Sequence, residues 1–313
     1  MRTDFGGGSW QSRILGLVVR NTAKRVIFAW TVAPNLPWPY FVVDHLGRFQ
    51  KKAPGTTIEH VSLPSCNADL IRTPASDSGR VIVYFHGGAF LVGGRHLHHG
   101  LISRIAEATR SDVLAVDYRQ LPKHPISCST ADCLEGYKWA LEQGFAPEGI
   151  VFMGDSAGGF LSFTTADLAG EQGLPKPAAI VSISPLVDFD FERIPFSIGP
   201  RGCDVFGPGF KKPFLRLAQH VEGEGVLRSP VDCEFEYLPP VLLQASSSES
   251  LYSQVTHMHD LLEAGGVPVE LQVWDEQMHV FQAARLIPEA KEAVEQIAEY
   301  VERATPAVRR KTA

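Results

Sequence analysis

A serine set between glycines in "VFMGDSAGG" (151–159) is the first place where residue type and spacing suggest chemistry. Gly154, Ser156 and Gly158 form G-x-S-x-G, directly after an apolar, β-rich run and before a helix-like one. A sharp strand-to-helix turn needs small residues beside the serine; it pushes the hydroxyl out and aims the helix N-terminus at it. That arrangement suits a serine nucleophile in acyl transfer, while a glycine-rich loop with an incidental serine would carry the same pattern. "YFHGGAF" (84–90) supplies an independent part. Acyl transfer needs N–H donors for the oxyanion of its tetrahedral intermediate. Two adjacent glycines at a strand end let bare backbone turn its amides toward a site, so Gly87 and Gly88, with the amide of Ala157, are the expected donors. His86 ends the strand and is expected to hold the loop rather than to act as a base.

A serine hydroxyl is a poor nucleophile unless an imidazole takes its proton. "VWDEQMHVFQ" places His279 after the last strand-like run and before the final helix, and it is the expected base. "RHLHHG" offers His96, His98 and His99, which could suggest a metal, but no matching Cys, Asp or Glu spacing accompanies them. They are expected to be solvated loop histidines, and no metal is expected.

These residues need a frame to bring them together. From about residue 56 strands and helices alternate, with strands in "TIEHVSL", "ADLIRTP", "RVIVYFH", "DVLAVDY", "GIVFMG", "AAIVSISP", "PPVLLQA" and "PVELQVW". The intervening helices fall near 99–110, 129–143, from Ser156, at 251–264 and at 287–303. Short apolar runs alternating with helices predict an α/β protein with a mainly parallel sheet covered on both faces. Residues 1–50 read as helix followed by a Pro/aromatic stretch, outside that pattern. Residues 188–236 lapse into Pro/Gly/Phe-rich sequence with one helical piece near 209–221. The two together are expected to cap the carboxyl edge of the sheet, where α/β active sites lie, over a catalytic domain of 51–313.

The bulk properties narrow the class. The chain has 313 residues, 44% hydrophobic and 20% charged, and a formal net charge of -6. That balance, with no basic run beyond "VRRKTA", argues against nucleic acid. Five cysteines form no CxxC pair, and no apolar run approaches the ~20 residues of a membrane span. With no secretory leader in view, the expectation is a cytoplasmic chain with reduced thiols. A segment over 10–32 is amphipathic and is expected to pack on its own protein rather than on lipid.

"HGGAF", "DYRQLPKHP", "GDSAGG", "LPPVLLQASSSE" and "MHVF", in this order, resemble the bacterial hormone-sensitive-lipase family of α/β-hydrolase esterases, from about residue 56 to 303. The resemblance implies an α/β-hydrolase core under a helical cap, no cofactor, and hydrolysis of small-molecule carboxylic esters with short to medium acyl chains. Residue by residue it implies Ser156 as nucleophile, His279 as base, Gly87, Gly88 and Ala157 as the oxyanion hole, and "DYR" (117–119) as a structural turn behind the HGG loop. It is compatible with a homodimer. The order Ser…Asp/Glu…His then directs attention to "QASSSES" (244–250), where Glu249 is the one carboxylate of the turn after a strand. Asp232, Asp260 and Asp275 fit less well by position. Glu249 is therefore the expected acid, and a helix N-terminal signal is its other reading. Amide, thioester or lactone substrates, and a non-catalytic receptor of the same fold, are the competing functional readings.

Overall fold

The computed structural model describes residues 1–76, 79–197, 202–225 and 227–305. The tail "VRRKTA" and parts of the expected cap insertion, 198–201 and 226, lie outside them. Strands β1 (Arg2–Phe5), β2 (Thr57–Ser62), β3 (Asn67–Arg72), β4 (Val81–Phe85), β5 (Asp112–Asp117), β6 (Ile150–Asp155), β7 (Ala179–Ile183), β8 (Val241–Ser246) and β9 (Val269–Trp274) build one sheet. Their order is β1-β9-β8-β7-β6-β4-β5-β3-β2. β2 and β3 pair antiparallel at one edge, and every pairing from β5 through β4 to β1 is parallel.

The expected two-faced burial is visible residue by residue in β4. Val81, Val83 and Phe85 join a core under α5 (Ile126–Glu142) and α6 (Ala157–Glu171), with Leu134 and Leu161. Ile82 and Tyr84 face the opposite core, with Leu101 and Ile105 of α4 (Arg95–Thr109) and Ile297 and Val301 of α9 (Pro288–Ala304). All five strand residues are buried, as a parallel strand covered on both faces requires.

The N-terminal region differs from its sequence reading. β1 pairs with β9, Phe5 opposite Trp274, and the two rings stack at 3.9 Å. "RTDF" is too short to carry an alternation, so its strand state is set by the β9 edge it covers. The stretch read as one amphipathic segment is two helices, α1 (Trp10–Asn21) and α2 (Ala23–Val32), followed by α3 (Tyr40–Gly47). It does not bury its apolar face as expected. Trp30 packs inward, but Trp10, Ile14, Leu17 and Phe28 are more than half exposed. Between β7 and β8 the expected insertion contributes α7 (Lys211–Glu222), while Trp30 and Phe210 bring the two cap parts together at 5.5 Å. Among the described residues no helix is long and apolar enough to cross a membrane.

Candidate active site

The chain leaves β4 toward β5 on one side and later returns to place β6 on the other, so the carboxyl ends of β4 and β6 flank a topological switch point. Phe85 and Gly154 are register partners there, which brings the HGG loop beside the serine turn. Ser156 has φ 53° and ψ -112°, a backbone state that costs a non-glycine residue about 1–3 kcal/mol and persists only when neighbours hold it. The flanking glycines explain how: a Cβ on Gly158 would sit 1.8 Å from the carbonyl oxygen of Phe85. Only a bare backbone allows helix α6 to begin this close to β4.

The three expected side chains converge. The Ser156 hydroxyl lies 3.0 Å from Nε2 of His279, and Nδ1 of His279 donates to Oε2 of Glu249 at 2.6 Å. The second oxygen of Glu249 accepts the Ser246 amide at 3.1 Å. Ser246 Oγ in turn donates to the carbonyl of Gln277 at 2.6 Å, tying the turn after β8 to the loop after β9. All three residues are buried, so the hydrogen bonds operate away from bulk water. Glu249 is not a cap: α8 (Tyr252–Ala264) follows it, and no side chain caps that helix. The other carboxylates point elsewhere. Asp275 accepts from Ser247, Asp260 from His259, and Asp232 from Arg193.

Gly87 is the exception among the expected donors. Its amide donates to Oδ1 of Asp155 at 3.1 Å, so that N–H is already committed. The next two amides belong to Gly88 (φ 122°) and Ala89 (φ 54°). Neither donates to a protein acceptor among the described residues. The commitment of Gly87 is part of a buried network. Asp155 also accepts from the Tyr84 hydroxyl at 2.7 Å and faces Nε2 of His98 at 3.4 Å. Burial disfavours charge on both members of that pair, but each offsets it for the other: the Asp155 carboxyl lies below its usual range and His98 above.

His98 and His99 are therefore not solvated loop residues as expected; both are buried in the first turns of α4. His99 donates to Asp69 at 2.9 Å, and Asp69 also meets His60 and Arg95. The carboxylate nearest the histidine cluster is thus already engaged by Arg95 and two imidazoles. Sequence reasoning missed Tyr84, His98 and Asp155, the last lying inside the quoted motif itself. His86 holds the loop as expected. It donates from Nδ1 to the Gly87 carbonyl at 2.8 Å and stacks on Tyr118 at 4.3 Å, whose hydroxyl returns to the His86 carbonyl at 2.6 Å. Burial, reinforced by the neighbouring His98, pushes its pKa down to about 4.

Two cavities meet at Ser156. A cleft of about 430 Å³ opens beneath the cap, lined by Val26, Trp30, Trp38, Val42 and Phe206 with His279 at its floor. A second, narrower space is lined by Ala157, Leu186 and a group of phenylalanines. Phe90 is fully buried edge-on to Phe160, and Phe41 is two-thirds exposed; neither lines these spaces.

A family model for the alpha/beta hydrolase fold matches residues 82–283, and the chain belongs to that family. Similar proteins include an esterase and a carboxylesterase. It is 37% identical over 296 residues to Esterase LipU of Mycobacterium tuberculosis, covering 90% of this chain and 99% of that one. It is 35% identical over 315 residues to Carboxylesterase/phospholipase LipF of the same organism, covering 96% and 83%. Among solved structures, a hormone-sensitive lipase from a metagenome library superposes with a TM-score of 0.83 at 26% identity, covering 96% of this chain and all of that one. EstE5 soaked with p-nitrophenyl butyrate gives 0.82 at 28%, with the same coverage. Fold, motifs and relatives agree: the protein is a carboxylic ester hydrolase of the hormone-sensitive-lipase type.

Proposed function

We propose that the protein is a serine carboxylesterase that cleaves short- to medium-chain esters through an acyl-enzyme, with Ser156, His279 and Glu249 as its triad. The unbroken hydrogen-bonded chain from Ser156 Oγ through His279 to Glu249 carries this reading. Ser156 Oγ attacks the ester carbonyl as His279 Nε2 takes its proton. Glu249 holds the Nδ1–H tautomer and stabilises the imidazolium, and its own charge is steadied by the Ser246 amide. The tetrahedral oxyanion is met by the amides of Gly88, Ala89 and Ala157. Gly87 instead fixes the loop through Asp155. The C–O bond to the alcohol breaks, and the alcohol departs with the proton from His279. Water, deprotonated by the same imidazole, then attacks the acyl-enzyme; the acid leaves and Ser156 regains its proton.

The test is turnover of p-nitrophenyl esters from acetate to palmitate by the wild type and Ser156→Ala. The wild type should turn over the shorter esters, and the variant should lose at least a thousandfold in kcat. Equal rates in the two proteins would reject a serine mechanism.

A further inference from the structure

Helix α1 is mounted inside out. Its small, polar side faces the protein: Ser12 is buried and donates to Gln277 at 2.5 Å, and a Cβ on Gly16 would come within 2.7 Å of the Asp204 carboxylate. Ser9, the N-cap, donates to Glu289 at 3.0 Å. Trp10, Ile14, Leu17 and Val18 recur at helical spacing on the other side, and each is more than half exposed. A surface helix ordinarily turns such a stripe toward the core. α2 continues the pattern, with Phe28 and Val32 about two-thirds exposed. Among the described residues fourteen large apolar side chains are exposed, and twelve of them lie between Trp10 and Phe49. Scattered singly they would need no explanation; gathered on consecutive helices, they mark a surface that meets a second apolar phase.

The charge of the same segment says which phase. Residues 10–52 hold seven of the 29 Lys and Arg and one of the 35 Asp and Glu, a local charge of +6 in a chain of -6. Arg13 and Arg20 are answered from neighbouring loops by Glu276 and Asp204. Lys24 turns to the Cys203 carbonyl and Arg25 to the Asn21 side chain, so no carboxylate neutralises either in those contacts. We propose that α1, α2 and the segment that follows them dock on an anionic phospholipid bilayer. The apolar stripe enters the boundary between headgroups and acyl chains, and the cations meet the phosphates. Trp10, at one end of the stripe, is of the residue type that favours this boundary. Two copies meeting face to face through this surface would instead set like charges against each other. Val26, Val42 and Val43 belong both to the exposed surface and to the wall of the cleft at Ser156. On the serine-esterase reading above, docking therefore sets the mouth of that cleft against lipid, where apolar esters collect.

The experiment is co-flotation of the full chain with vesicles of phosphatidylcholine alone, or of phosphatidylcholine and phosphatidylglycerol at about two to one. The wild type should partition onto the anionic vesicles at least tenfold more strongly than onto the neutral ones. Raising NaCl from about 50 to about 500 mM should weaken that binding at least fivefold. Leu17→Glu and Phe28→Glu, both at exposed positions, should each lower it at least tenfold, and Arg25→Glu at least threefold, with melting temperatures close to wild type. No flotation of the wild type on anionic vesicles overturns the proposal, and so does undiminished flotation of the two apolar variants. A dimer in solution that Leu17→Glu and Phe28→Glu dissociate, in a protein that does not float, would assign the face to a second copy and overturn it as well. Ser156→Ala should float like the wild type. A failed serine mechanism thus leaves docking intact, and failed flotation leaves the triad intact.

Discussion

Glu249 accepts one hydrogen bond from a backbone amide and one from the imidazole, and it is buried. Gln at this position keeps the shape and one acceptor but removes the charge that stabilises the imidazolium. Glu249→Gln should therefore lose at least a hundredfold in kcat, with little change in KM and a melting temperature within a few degrees of wild type. Activity within threefold would place the acid elsewhere. Asp155 acts at one remove, by pinning Gly87 and pairing with His98. Asp155→Asn should lower kcat about tenfold or more while KM for p-nitrophenyl acetate holds, since a loosened loop weakens transition-state hydrogen bonds more than ground-state ones. A variant with wild-type kcat would show that the loop holds without the charge.

Among the elements, the strand ends proved the most readable. Apolar runs at "RVIVYFH" and "GIVFMG" predict β4 and β6, and the glycine-flanked motifs locate the turns that follow them. The contact of Glu249 with His279 is legible because Glu249 is the lone carboxylate in its turn. The commitment of the Gly87 amide is not, because it depends on where a side chain 68 residues away comes to rest. The burial of His98 and His99 was hidden for a similar reason. A helix beginning at Arg95 turns those residues inward, whereas "RHLHHG" alone reads as polar. The HGG element also has a pH signature. His86 stays neutral in the fold down to about pH 4, whereas an unfolded histidine takes its proton near pH 6.5. Its effect on stability is therefore nil above pH 6.5 and grows to about 3 kcal/mol of destabilisation by pH 4. The raised pKa of His98 acts in the other direction, adding stability that is complete below pH 6.5 and fades as pH rises through its folded value. Thermal melts at pH 7, 5.5 and 4 should show His86→Asn losing less stability on acidification than wild type. Parallel acid limbs in the two proteins would contradict a neutral buried His86.

At the scale of the molecule, the first strand is the least expected element and one of the easiest to probe. Phe5 stacks on buried Trp274, so Phe5→Ala should lower the melting temperature by a few degrees, on the order of 1–2 kcal/mol. It should also shift Trp274 emission, and unchanged melting and emission would mean that the stack holds nothing in solution. The position of this strand has a wider consequence. β1 and β2 lie at opposite edges of the nine-stranded sheet, so the cap helices between them run as a strap from one edge to the other, a span of roughly 38 Å at ~4.8 Å per strand step. A swinging door needs one free side, and this strap is stitched down on both. The cleft to Ser156 therefore lies under a roof fixed at both ends. The same stitching marks residues 6–56 as a cassette with two defined ends, so a different roof could be grafted over the same catalytic floor.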